Sequence, residues 1–383
     1  MKLQSFSFSV PQDIRFGPGV LQELPEVLAQ QSHKKVLLIS DHGLEKAGAV
    51  GSVVQRLGSS GISCSVFLDV IPNPTVEVVE QAKEAFVSSG AAAIVALGGG
   101  SPMDVAKAVG VVANYGGSIT QYEGAHKVPG KITPLYAIPT TAGTGSEATA
   151  FSVITDTARN YKLTVFSYEL LPHHVFLDPE LIMTLPFSVA ASTGVDAMIH
   201  ALEAYISRSS TPFSDCMAEK ALELIGGNIR RFVACRQDAE AAGAMLLGSL
   251  FAGIAFSWAR LGNVHAMSHP VSAYFHVAHG VANSVLLPTV LRYNALADHG
   301  KYEKICRYIA AQPSSAPFTT DMLIDEVCRM LHDFHIPTHL SEVGVQEELI
   351  GAMAKDAMAS GNIAANPRQS TLQDIEMLYH QAM

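Results

Sequence analysis

Two textures divide the chain. Through about residue 186, short apolar runs alternate with segments whose apolar residues recur every three or four positions. Residues 35–40, 64–68 and 91–97 read as buried strands, and 50–57, 76–88 and 104–113 as helices. Residues 135–138 and 175–177 extend the strand set. Strand–helix alternation with continuously apolar strands predicts a parallel sheet covered by helices. Residues 3–10 alternate polar and apolar, as an edge strand would.

Beyond Pro186 the strand signal stops. Helical periodicity runs through 188–207, 213–232, 238–258, 260–275, 280–296, 301–311, 319–334, 346–359 and 371–382. Prolines at 212, 288, 313, 317, 337 and 367 punctuate this half. The expected organisation is an α/β domain over 1–186 and an all-helical domain over 187–383, with no flexible linker between them.

Composition narrows the class. Apolar residues make up 48% of 383 and charged residues 16%, enough for a well-buried core and too little charge for disorder. The net charge of −10 has no basic block, which argues against a nucleic-acid partner. No signal-peptide pattern and no run of about 18 apolar residues is apparent, so no membrane span is expected. The five cysteines are scattered without a CxxC pair. That suggests reduced thiols and a cytoplasmic location, and neither a disulfide framework nor a thiolate zinc site.

Three places carry candidate chemistry. Strand 91–97 runs into Gly98-Gly99-Gly100-Ser101-Pro102-Met103-Asp104 and then a helix. A glycine-rich turn at a helix N-terminus offers free N–H groups to a phosphate, although the GxGxxG fingerprint and the P-loop lysine are both absent. A tight turn without a ligand is the plain alternative. A second segment, Pro139-Thr140-Thr141-Ala142-Gly143-Thr144-Gly145-Ser146-Glu147, follows strand 135–138. Ligands of open α/β sheets bind at the carboxyl ends of such strands. Asp41, at the end of strand 35–40, taken alone reads first as a helix N-cap or turn residue; together with the glycine turn it suits a ribose diol and favours NAD over NADP.

The third place is the histidine set. Asp196 and His200 stand at i, i+4 on one helical face, and His265, His269 and His279 follow in one later stretch. A carboxylate with imidazoles is a plausible shell for a catalytic divalent metal. Spacing leaves all five as candidates, and chance pairing of histidines remains the plain alternative.

The segments Gly98–Lys107, Pro139–Glu147, Thr193–Tyr205, His265–His269, His279–Pro288 and Asn366-Pro-Arg368 together resemble the iron-containing (group III) alcohol dehydrogenases. The resemblance covers nearly the whole chain, in order. It implies a Rossmann-like nucleotide-binding domain followed by a helical domain, as in dehydroquinate synthase-like folds, with the metal in a cleft. By the resemblance the ligands are Asp196, His200, His265 and His279, and the metal is Fe(II) or alternatively Zn(II). His269 is then the histidine of the nicotinamide and proton-relay region. The implied cofactor is NAD(H), held by Asp41, Asn73, Gly99, Gly100, Ser101, Asp104, Thr140, Thr141, Thr144, Thr149 and Lys162. His276 matches no ligand position.

The implied reaction is hydride transfer to or from a small primary alcohol, diol or aldehyde, in a homodimer or larger homo-oligomer. Two places depart from the family pattern: Trp258-Ala-Arg260-Leu-Gly-Asn263, and Phe151. Arg260 could pair with a carboxylate, phosphonate or sulfonate on an anionic aldehyde, or form an ion pair at a domain or subunit boundary. A glycerol dehydrogenase-like enzyme is the alternative within the superfamily. A catalytically silent nucleotide- or metal-binding protein is the alternative outside enzymes.

Overall fold

A computed structural model describes residues 6, 8–159, 161–312 and 316–383. The chain forms two compact units. One comprises Val10–Thr141 and Ser146–Thr184; the other comprises Leu185–Met383, Ala142–Gly145 and the described residues up to Ser9. A single boundary near 186 places Ala142–Gly145 with the α/β part, whereas these residues pack into the helical unit. Gly145 lies so close to residues 249–253 that an added Cβ would stand 2.7 Å from the Ser249 carbonyl.

The first unit is built on six strands: β1 Asp13–Phe16, β2 Lys35–Ile39, β3 Ser63–Phe67, β4 Ala93–Gly98, β6 Leu135–Pro139 and β9 His174–Leu177. They lie in the order β1-β9-β6-β4-β2-β3, every pairing parallel. The central strands β4 (AIVALG) and β6 (LYAIP) are buried along their length because helices cover the sheet. On one face Val36, Leu38, Val95 and Leu97 pack with residues of α1 Leu24–Gln30 and α3 Ala49–Ser59. The other helices of this unit are α2 His42–Lys46, α4 Val76–Ser89 and α5 Gly100–Tyr115. Helix α5 begins at Gly100, four residues earlier than its apolar period suggested.

A second sheet was not expected. It pairs β7 Phe151–Asp156 antiparallel with β8 Tyr161–Phe166, and a short β5 Gly124–Ala125 joins β8 in parallel. The alternation along β7 is visible in its burial. The sequence between β7 and β8, 157–160, lacks the glycine that marks a tight hairpin. The strand expected over 3–10 falls partly outside the described residues, and Phe6 and residues 8–10 are in no strand.

The helical unit contains α6 Phe187–Ile206, α7 Pro212–Ala234, α8 Ala239–Ala259, α9 Asn263–Phe275, α10 His279–Asn294, α11 Lys301–Ile309, α12 Thr320–Asp333, α13 Ile350–Ala359 and α14 Leu372–Ala382. Helices α6, α7 and α8 pack on one another. Thr211 caps α7 in a reciprocal box with Ser214, and Pro212 takes the first turn, where its missing N–H costs nothing. Pro288 lies inside α10, within the helical segment read over 280–296. Helix α8 is, among the described residues, the one helix long and apolar enough to cross a membrane, contrary to the expectation of no such run. It is mostly buried, as a core helix is.

Candidate active site

In the α/β unit, register brings the two polar turns together. Gly98 at the end of β4 pairs directly with Pro139 at the end of β6. The Thr140 N–H donates to the Gly98 carbonyl at 3.1 Å. A Cβ on Gly99 would stand 3.1 Å from Thr141 Oγ1, so the two turns touch. Gly99 is the N-cap of α5, and no side chain caps that terminus. Its first N–H groups are therefore available to an anion.

Beside these turns lies a group of charges. Asp104 Oδ1 accepts from Ser146 Oγ at 3.1 Å. Burial pushes Asp104 up to about 6, opposed by Lys107. Lys162 donates to Asn73 Oδ1 at 2.8 Å, and burial lowers it to about 8. Asn73 itself holds φ 54°, a left-handed conformation that asparagine tolerates. Asp41 does act as the N-cap of α2: its Oδ1 accepts the Leu44 N–H at 3.0 Å. Thr149 is buried and its hydroxyl is engaged inside the fold. Thr144 belongs to the helical unit rather than to this group.

The residue that organises this region is Lys107, to which the sequence reading gave no role. It is fully buried. Its ammonium contacts the carbonyls of Ser146, Thr149 and Phe151 at 2.7, 2.9 and 2.8 Å. The hydroxyls of Ser146 and Thr149 lie at 3.1 and 3.0 Å. Burial lowers Lys107 towards about 8, opposed by Asp104 and Glu147. Lysine at i+3 from Asp104 on a helix otherwise apolar was the available signal.

In the helical unit, Asp196, His200, His265 and His279 converge. One donor atom from each lies within 4.8 Å of the others. Asp196 and His200 project from one face of α6, His265 from the first turn of α9, and His279 is the first residue of α10. Gly280 permits this: a Cβ there would meet the Ser192 carbonyl at 2.5 Å, so only glycine lets α10 start against α6.

The imidazoles are oriented from behind. His200 Nδ1 lies 3.3 Å from the Gly143 carbonyl, and His265 Nδ1 lies 2.6 Å from Glu203 Oε2. Burial, then the proximity of His200, keeps His265 well below its ordinary pKa, so its ring is neutral. Asn283 Nδ2 stands 2.7 Å from Asp196 Oδ1 and 3.1 Å from Nε2 of both His265 and His279. Lone pairs therefore converge on one point. One carboxylate and three imidazoles fit a borderline divalent cation. His269 is outside this group: its ring centroid is 5.5 Å from that of His279 and 6.5 Å from that of His265. His276 is exposed and terminates α9 with φ 56°.

Imidazoles grouped with a carboxylate belong to metal-dependent catalysts, and glycine turns at the carboxyl ends of parallel strands belong to nucleotide binders. Comparison with known proteins joins the two. Residues 11–179 match the family described as iron-containing alcohol dehydrogenase, and 190–383 match the C-terminal domain of the Fe-containing alcohol dehydrogenase family. A lactaldehyde reductase of Escherichia coli (strain K12) is 37% identical over 371 residues, 96% of this chain and 97% of that enzyme. The crystal structure of a 1,3-propanediol oxidoreductase matches with a TM-score of 0.95 at 37% identity, over 99% of this chain and 100% of that one. A sulfoacetaldehyde reductase from Bifidobacterium kashiwanohense, solved in complex with NAD+, matches with a TM-score of 0.89 at 29% identity, over 99% of each chain. The chain belongs to the iron-containing alcohol dehydrogenase family. It is accordingly an oxidoreductase of alcohols and aldehydes.

Lys107→Met tests the anchoring of residues 146–151. Removing the ammonium takes a donor from three buried carbonyls, an expected loss of about 3 kcal/mol in urea unfolding. NADH affinity, measured by fluorescence, falls with it. Unchanged stability would show that these carbonyls do not depend on Lys107.

Proposed function

We propose that this chain catalyses reversible hydride transfer between NAD(H) and a small primary alcohol, diol or aldehyde. Asp196, His200, His265 and His279 would hold a divalent cation, Fe(II) or Zn(II). The observation that carries this reading is the convergence of four donor atoms within 4.8 Å on the helical unit. Bound there, a divalent cation supplies Lewis acidity towards a substrate oxygen.

The residues around it do the remaining work. One carboxylate against a dication leaves a net positive site, which favours an anionic oxygen. His269 is half-buried beside His279 and suits a proton relay. On the α/β unit, Gly99, Gly100 and Ser101 would take the pyrophosphate. Asp41 would take the adenosine ribose through the carboxylate oxygen that does not cap α2. Asn73, Asp104, Thr140, Thr141 and Lys162 would line the remainder, with Thr144 and Thr149 as further contacts. The five free thiols suit a reducing cytoplasm. Exposed Phe6 and Phe213, in ring contact with each other, suit assembly into a homo-oligomer.

The direct test follows NADH oxidation at 340 nm with lactaldehyde and other small aldehydes. Activity is expected to vanish on metal removal by a chelator and to return with Fe(II) or Zn(II). Full activity in demonstrably metal-free protein would contradict the reading. In the same assay His269→Asn is expected to lower the rate roughly 10²-fold and to shift its pH profile; no change in either removes the relay.

A second reading concerns the substrate. Arg260 ends α8 at φ 65°, ψ 176°, a region costly for any residue with a side chain. Such strain is kept where surroundings hold a residue in place, and Arg260 introduces the segment leading to His265. The sulfoacetaldehyde reductase among the similar structures acts on an anionic aldehyde by its name. An anionic small aldehyde is therefore the alternative substrate class. Arg260→Ala should lower kcat/KM for an anionic aldehyde roughly 10-fold or more while sparing a neutral one of equal length. Equal losses on both would remove this alternative.

A further inference from the structure

Glu203 follows His200 by three residues and Asp196 by seven, on the same face of α6. It is 2% exposed. Its Oε1 accepts the Val264 N–H at 2.8 Å. Its Oε2 accepts the His265 N–H at 3.4 Å and faces His265 Nδ1 at 2.6 Å. Two of these donors are first-turn N–H groups of α9, which lack partners within their own helix. Glu203 thus caps α9 from a different helix. The N-cap position itself is Gly262, which carries no side chain to do so. A side chain there would collide with Glu203, since a Cβ would lie 2.9 Å from Oε1. The neighbouring Asn263 N–H is taken by Asn366 Oδ1 at 3.1 Å.

Both carboxylate oxygens therefore face N–H donors. With Glu203 Oε2 at 2.6 Å, Nδ1 is the ring nitrogen placed to donate, and it holds the imidazole proton. Nε2 is then left bare, and it is Nε2 that lies beside Asn283 Nδ2 at the point of convergence. We infer that Glu203 is a positioning residue that fixes the Nδ1–H tautomer of His265 and so aims the Nε2 lone pair at the cation. A carboxylate behind a ligating imidazole also raises its basicity. The inference rests on the proposed metal site. His200 Nδ1 has the Gly143 carbonyl at 3.3 Å and Asp196 Oδ2 at 3.9 Å, so the shorter bond belongs to His265.

Glu203→Gln separates this role from simple packing. The amide keeps the shape but must turn a donor towards one of the three N–H groups. The least costly arrangement places its nitrogen opposite Nδ1, where the imidazole can respond by moving its proton to Nε2. That blocks the ligand atom and leaves the Val264 cap intact. Zinc affinity, measured by chelator competition, is expected to fall roughly 10- to 100-fold, and the thermal shift produced by zinc should shrink in step. In zinc-loaded wild-type protein, long-range proton–nitrogen NMR should find the His265 proton on Nδ1. Equal zinc affinity in the two proteins overturns the inference, as does a proton on Nε2. Equal affinities leave the metal reading intact, whereas a wild-type protein that takes up no cation overturns both. If Glu203→Gln does not fold, the wild-type NMR result decides alone.

Discussion

Burying a carboxylate and three imidazoles in an apolar helical unit is the constraint on which the rest of that unit depends. Polar groups removed from water are costly unless each finds a partner. The structure offsets much of the cost with a set of directed contacts: Gly143 behind His200, Glu203 behind His265, and Asn283 among Asp196, His265 and His279. The Glu203 and Asn283 contacts require helices that start at fixed places. Gly280 lets α10 begin against α6, and Gly262 leaves room for Glu203 at the head of α9. Asn366, from the far end of the sequence, holds the same helix start through the Asn263 N–H. The donor cluster is thus a property of how three helices meet, and no single segment could form it alone.

The α/β unit solves a different problem by the same means. Parallel register puts Gly98 beside Pro139, so two turns with free backbone groups emerge together. The second turn then runs through residues whose carbonyls point inward, and Lys107 gathers them. A buried ammonium with this many oxygen contacts is held by geometry, which makes the region rigid. Rigidity suits a surface that must present N–H groups to a phosphate without rearrangement.

Much of this was legible in the sequence. The parallel sheet followed from runs such as AIVALG, which only a sheet covered on both faces leaves apolar throughout. The helical half followed from its period. The β7–β8 hairpin was missed because its connection lacks the usual turn glycine. At the site, Asp196 and His200 could be read from spacing, but spacing could not separate His265 from His269. Both occupy one face of α9, and only the positions of α6 and α10 distinguish them. Glu203 was readable in principle, three residues after His200 on the same face. Its role was not, because the donors it meets lie some sixty residues later in the chain.

The central claim is that these four side chains form one metal site. Anomalous diffraction at the iron and zinc edges, on crystals of protein loaded with each metal, tests it most directly. The account predicts a single peak bound by Asp196, His200, His265 and His279. A peak at other residues, or none in protein that still reduces aldehydes with NADH, would contradict it.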